Sequence, residues 1–199
     1  VNEAIYKSVK AFINHDKELA RDVITSDHLI NEREVDLEKR SFELIALQQP
    51  VTTDLRTIVT VMKASSDLER MGDHAVSISK STIRVKGTTR VPTEEQDIAS
   101  MAELAKEMVN EVLDAYVKSD DKRALQIANE DHGINHYSDL IYETCLEIMQ
   151  KDPATVPGSM DYLFVSSYLE RIGDYVTNIC EWIVYLQTGK IVELNSNAK

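Results

Sequence analysis

Two short phrases in this chain place carboxylates where a helix would gather them. "LERMGDHAVSI" runs from Leu68 to Ile78, and "LERIGDYVTNI" from Leu169 to Ile179. Each sets a Glu and an Asp four residues apart, Glu69 with Asp73 and Glu170 with Asp174, around an Arg and a Gly. Residues four apart on a helix share one face, with Cβ atoms about 6 Å apart, so each pair projects as a unit. A second set of phrases repeats the spacing: "DHLIN" supplies Asp27 and Asn31, and "DHGIN" supplies Asp131 and Asn135. All four pairs border an apolar stripe, where uncompensated negative charge is costly. A bound cation would relieve that cost. Arg70 and Arg171, inside the same phrases, are an alternative source of positive charge, and a merely solvated acidic face is a third reading. Asn178, one turn past Asp174, extends the second row, and Ser77 is its shorter counterpart in the first.

The donors are all carboxylate or carboxamide oxygens, which suit hard ions such as Fe(III), Mn, Mg or Ca better than a structural zinc. His28, His74 and His132 adjoin acidic positions. A neighbouring residue on a helix points about 100° away, so these imidazoles are read as solvated or hydrogen-bonded, not as ligands. Gly72 and Gly173 sit inside the helical phrases, where each costs about 1 kcal/mol against Ala. Close helix packing and room for a bulky cluster are the two reasons to accept that cost. Catalysis finds no support, because GxSxG, Walker A and HExxH are all absent. Di-iron enzymes of the ferritin type need Glu-x-x-His on two helices, and no Glu-x-x-His occurs in the chain.

The paired phrases belong to a longer internal repeat. Val23, Ile30, Leu37 and Leu44 fall seven apart, and 104 residues later stand Ile127, Ile134, Ile141 and Ile148. Leu68, Met71, Ala75 and Ile78 return 101 residues on as Leu169, Ile172, Val176 and Ile179. The slip of three lies near Pro50 and Pro153, where a loop absorbs a deletion. This periodicity predicts an all-α protein: a tandem duplication of two antiparallel three-helix bundles, six long helices in all. In the second copy Thr93 followed by Glu94, Glu95 and Gln96, just after Pro92, predicts a capping-box start for a helix running to about Val117. Ser119-Asp120 caps the next, which Asp152-Pro153 ends near Gln150, and the last runs from Pro157-Gly158 to Gly189. In the first, Asn14-His15-Asp16 precedes the long second helix, Pro50 ends it, Thr52 or Thr53 opens the third and Gly87 closes it. The expected division is 1–87 for the first bundle, 88–93 for the linker and 94–199 for the second. The repeat also places the start of the first helix at about position −10, so Val1 is expected to lie inside that helix with its opening part missing.

Composition narrows the function. Of 199 residues, 22 are basic and 34 acidic, a net charge of −12. Such a field repels phosphate backbones, so nucleic acid is an unsuitable partner and cations or basic protein surfaces are suitable ones. Cys145 and Cys180 lie in helical patterns without CxxC spacing and read as reduced core thiols. No run of eighteen apolar residues occurs, which leaves no candidate membrane helix.

"QQPVTTDLR" from Gln48 to Arg56, followed by "DLERMGDHAVSI" from Asp67, closely resembles the PhoU family, accessory proteins of bacterial phosphate-specific transport. The resemblance spans essentially the whole chain. It implies two similar three-helix bundles that bind multinuclear metal clusters through paired E(D)xxxD motifs, with iron as the first expectation and other divalent cations as alternatives. By that resemblance one cluster would use Asp27, Asn31, Glu69 and Asp73. The other would use Asp131, Asn135, Glu170, Asp174 and Asn178. Asn stands at 31 and 135 where the family pattern has Asp, and Asn carbonyls coordinate cations without neutralising them. The implied role is cytoplasmic and non-enzymatic. It is negative regulation of a high-affinity phosphate ABC transporter and of its associated sensor histidine kinase, with homodimers common and membrane contact only through partners. The residues themselves leave a carboxylate-bridged metalloenzyme and a metal-free helical scaffold as alternatives.

Overall fold

Low glycine and proline content leaves long helices uninterrupted, and the computed structural model of the chain, which describes residues 1–84 and 91–195, is built from them. The first bundle comprises α1 (Asn2–Asn14), α2 (Lys17–Ser26), α3 (His28–Gln48) and α4 (Thr53–Arg84). The second comprises α5 (Pro92–Lys118), α6 (Asp121–Lys151) and α7 (Val156–Thr188). α2 and α3 are one arm interrupted at Asp27, whose φ of −59° and ψ of −34° keep the chain near helical geometry. The all-α duplication therefore has six helical arms, and the described residues contain no strand.

Several ends form as their residues dictate. Asp16 accepts from the N–H groups of Glu18 and Leu19 at 3.1 and 3.0 Å, and Asp120 from that of Arg123 at 3.0 Å; both satisfy donors that have no partner inside the helix. Gly189, at φ 73°, ends α7 with its N–H on Tyr185 O at 2.8 Å. Two starts differ from expectation. α5 opens at Pro92, whose missing N–H costs nothing in a first turn, so Thr93 is not its cap and no side chain caps the helix. α7 opens at Val156 after a 3₁₀ turn over Pro153–Thr155, which takes Pro157 and Gly158 into its first turn. Gly87 and positions 88–90 of the expected linker lie outside the described residues.

α1, α4, α5 and α7 form the central layer, with α1 on α5 and α4 on α7, while α2–α3 and α6 flank it. The flanks are unequal. α6 packs on both α5 and α7, whereas among the described residues α3 packs on α4 and α2 alone. Within the given sequence α1 spans 13 residues and its counterpart α5 spans 27. The two halves of the heptad stripe consequently differ. Ile127, Ile134 and Ile141 are fully buried, but Leu37 is 40% and Leu44 49% exposed, contrary to the core positions expected of them. Phe42, Leu47 and Val51 continue this open apolar face. The third helices match expectation better: Met71, Ala75 and Ile78 are buried like Ile172, Val176 and Ile179.

Candidate functional site

Each bundle brings its acidic pairs together where the second arm meets the third. In the second bundle α6 presents Asp131 and Asn135, and α7 presents Glu170 and Asp174. Together they line a cleft of about 630 Å³. Asn135 Nδ2 donates to Asp131 Oδ2 at 3.2 Å, and Ser138 Oγ donates to Glu170 Oε2 at 2.9 Å. Asp131 is only 5% exposed, and its other oxygen, Oδ1, has no hydrogen-bond partner. Burial pushes its carboxyl above the usual range, and the Asp174 charge adds to the rise. Gly173 makes the space, since a Cβ there would lie 2.6 Å from Asp131 Oδ1.

The first cleft repeats the plan with different contents. Asp27 stands at the break between α2 and α3, with Asn31 hydrogen-bonded to it and Asp73 facing it from α4. Burial, then the Asp73 charge, raises the Asp27 carboxyl, while Lys80 opposes the rise. Glu69 is raised by burial and by Asp73, Glu34 and Asp27. Asp27 Oδ1, like Asp131 Oδ1, is buried without a partner. Gly72, however, chiefly meets a hydrocarbon: its Cβ would lie 3.0 Å from Ile30 Cδ1. Both glycines thus allow close packing of the facing arm, by Ile30 at Gly72 and by the Asp131 carboxylate at Gly173.

The row extensions serve other contacts. Asn178 lines the second cleft but donates Nδ2 to Asp67 Oδ1 at 3.5 Å across the bundle boundary, beside Trp182 Nε1, which donates to Asp67 Oδ2 at 3.0 Å. Ser77 Oγ donates back to Asp73 O within its own helix at 3.0 Å. His28 is exposed, with Nδ1 2.7 Å from Thr25 O, and His132 is exposed. His74 is neither solvated nor hydrogen-bonded through its buried Nδ1. Its ring stacks between Tyr168 and Tyr175, each at 5.7 Å, and burial and the Arg171 charge hold its pKa down. Both cysteines are free and buried, their thiols pushed up to about 12 by desolvation.

Charge balance decides what these clefts suit. Among the described residues, no ion pair joins Arg70 or Arg171 to Glu69, Asp73, Glu170 or Asp174. Arg171 lines the second cleft and the Arg70 charge partly offsets the rise at Glu69, so the arginines compensate from a distance without direct contact. Nor do three of the described His, Cys, Asp and Glu residues converge at metal-holding distances. The clefts therefore do not fit a dehydrated, fully protein-ligated ion. In the second bundle, a buried unpartnered carboxylate oxygen beside a roomy acidic cleft fits a hard cation that keeps part of its hydration shell.

Sequence reasoning missed several lining residues. Glu34 and Ser138 lie seven beyond Asp27 and Asp131, and Glu181 lies seven beyond Asp174. Extending the i, i+4 rows to i+7 would have found all three. Glu193 and Leu194, which line the second cleft from beyond the end of α7, carry no local signal. The repeat also exposes an inequality, because Glu181 of the second cleft corresponds to Lys80 of the first.

Known proteins share this architecture. A PhoU domain model matches residues 1–82 and 98–183. The chain is 37% identical over 195 residues to the phosphate-specific transport system accessory protein PhoU homolog of Streptococcus pneumoniae, covering 98% of this chain and 90% of the relative. It is 38% identical over 192 residues to the homolog of the same name from Clostridium acetobutylicum, covering 96% and 87%. The crystal structure of the phosphate transport system regulatory protein PhoU from S. pneumoniae matches with a TM-score of 0.91 at 34% identity, covering 97% of this chain and 90% of that one. PhoU from Pseudomonas aeruginosa matches at 0.90 and 28% identity, covering 95% and 90%. The S. pneumoniae and C. acetobutylicum relatives are named as accessory or regulatory proteins, which sets the chain apart from enzymes. A family model found twice, relatives aligned over nearly the full length and the same helical architecture in their crystal structures lead to one conclusion: this chain belongs to the PhoU family.

Proposed function

We propose that this protein regulates phosphate uptake as a helical adaptor. It restrains a high-affinity phosphate ABC transporter and helps the associated sensor histidine kinase repress the starvation response. In this reading it works in the cytoplasm as a homodimer and reaches the membrane through its partners. No helix among the described residues is long and apolar enough to cross a membrane. The observation that carries the reading is similarity over 98% of the chain to a protein named for its accessory role in phosphate-specific transport. Deleting the gene in the source organism and measuring phosphate uptake tests it. Uptake should escape repression in phosphate-rich medium, and unchanged uptake and starvation signalling would refute the proposal.

The acidic clefts belong to the same proposal as sites for hydrated hard cations, with iron first among multinuclear clusters and other divalent cations as alternatives. Asp27, Asn31, Glu69 and Asp73 would hold one group, and Asp131, Asn135, Glu170 and Asp174 the other, with Asn178 at its edge. Support comes from Asp27 Oδ1 and Asp131 Oδ1, both buried and without partners. A metal-free scaffold is the competing reading, favoured by the lack of a convergent three-residue ligand group among the described residues. Elemental analysis of protein purified without chelator or affinity metal separates the two. Metal that is retained by the wild type and lost in Glu170→Ala, Asp174→Ala supports the cation reading.

A further inference from the structure

Beyond Gly189 the chain turns back over the second cleft. Leu194 packs its side chain against the core and donates its N–H to Glu181 Oε1 at 2.7 Å. Asn195, at φ 61°, donates Nδ2 to Ala128 O on α6 at 2.6 Å. Ala128 lies three residues before Asp131, so the segment bridges α7 to α6 beside the buried carboxylate. Between its anchors and Gly189 stands Glu193, itself exposed, on the cleft lining.

We infer that residues 190–195 form a strap that completes the second cleft, with Glu193 as an added carboxylate for a hydrated hard cation bound there. The inference rests on the cation reading proposed above. It adds that occupancy of this cleft is coupled to the order of the strap.

Two side chains of the cleft lining carry buried oxygens without a hydrogen-bond partner. Asp131 Oδ1 and Thr177 Oγ1 belong to side chains 5% and 6% exposed, both line the cleft, and neither oxygen has a hydrogen-bond partner. An exposed glutamate held over such a space gains from a cation beneath it and is repelled by Glu181 without one. A cation thus draws the strap down, and the strap in turn slows the cation's escape, as reciprocal coupling requires. Among the described residues the first cleft has no such device. Glu193 is offset by 101 from Pro92, at the start of α5, and Lys80 holds the place of Glu181.

The test uses the full chain with Asp27→Asn and Asp73→Asn to silence the first cleft, titrated with Mn²⁺ while free ion is counted by electron paramagnetic resonance. Glu193→Gln should weaken Mn²⁺ binding roughly tenfold, the scale on which supporting carboxylates act. Glu143→Gln, an exposed acid on α6 outside the cleft, should leave it unchanged. Hydrogen exchange at the Leu194 amide should slow when Mn²⁺ is added, and less so in Glu193→Gln. Mn²⁺ bound equally by both variants, with Leu194 exchange indifferent to the ion, overturns the strap and leaves the cation reading standing. Equal weakening in both variants reduces the effect to net charge and also overturns the strap. No Mn²⁺ binding by the first-cleft-silenced protein overturns both readings for this cleft.

Discussion

Replacing Gly72 and Gly173 by alanine, one at a time, separates two uses of the same repeated glycine. Each substitution starts with a helix-propensity gain of about 1 kcal/mol. At Gly72 the new Cβ would lie 3.0 Å from Ile30 Cδ1, 3.4 Å from Ile30 Cγ2 and 3.5 Å from Asp27 Oδ1. Ile30 is half-buried, and its terminal methyl can yield by a few tenths of an ångström. Gly72→Ala should therefore keep most of the gain. At Gly173 the Cβ would lie 2.6 Å from Asp131 Oδ1 and 3.4 Å from Ile134 Cγ2. Ile134 is fully buried, and Asp131 is held by Asn135 through its other oxygen. Overpacking of this kind costs about 1–3 kcal/mol, which cancels or reverses the gain. The two variants should differ by about 2 kcal/mol, or roughly 4–8 °C in Tm for a chain of this size. Differential scanning calorimetry in chelator at pH 7 reads that gap without any contribution from bound metal. In an Asp131→Ala background the obstruction is gone, so Gly173→Ala should become as favourable as Gly72→Ala, a coupling that a double-mutant cycle isolates. A Gly173→Ala protein as stable as Gly72→Ala, with Asp131 intact, would refute the assignment of Gly173 to making room for that carboxylate.

Three further predictions address packing, protonation and the bundle boundary. Ile141→Ala should cost about 2–5 kcal/mol in denaturant melts, whereas Leu37→Ala at the repeat-equivalent position should cost well under half as much, because Leu37 is already 40% exposed. Glu94 has no exposed surface, accepts from Cys145 Sγ, and is raised by burial to about 7 from an ordinary 4.5. Its contribution is whole below about pH 4.5 and is lost as pH rises through about 7, so Glu94→Gln should stabilise the protein by on the order of 2 kcal/mol at pH 8 and little at pH 4.5. Thermal melts at the two pH values check the sign. Trp182→Phe removes the donor 3.0 Å from Asp67 and should cost about 1–3 kcal/mol, because it leaves a half-buried carboxylate short of a partner. Chemical denaturation measures the loss, and Asp67→Asn in the same background should recover part of it.

Helical periodicity and residue spacing are local properties, and what depended on them was legible in the sequence. The six arms, the caps at Asp16 and Asp120, the glycine stop at Gly189 and the pairing of Glu69 with Asp73 and Glu170 with Asp174 follow from chemistry within a few turns. The duplication was equally legible, because it is written as repeated residues. Tertiary structure alone decided what each position met. Leu37 and Ile141 carry the same apolar pattern, yet burial depends on whether another helix lies across them: α5 and α7 both pack on α6, while among the described residues α3 meets only α4 and α2. Asn178 stands one turn past Asp174, yet its carboxamide bonds Asp67 from 111 residues away. Glu193 reaches the second cleft only because Leu194 and Asn195 anchor the returning chain to α7 and α6. Side-chain spacing along one helix sets which groups leave it together. The partner across the gap comes from a distant part of the chain, through packing that no local pattern records.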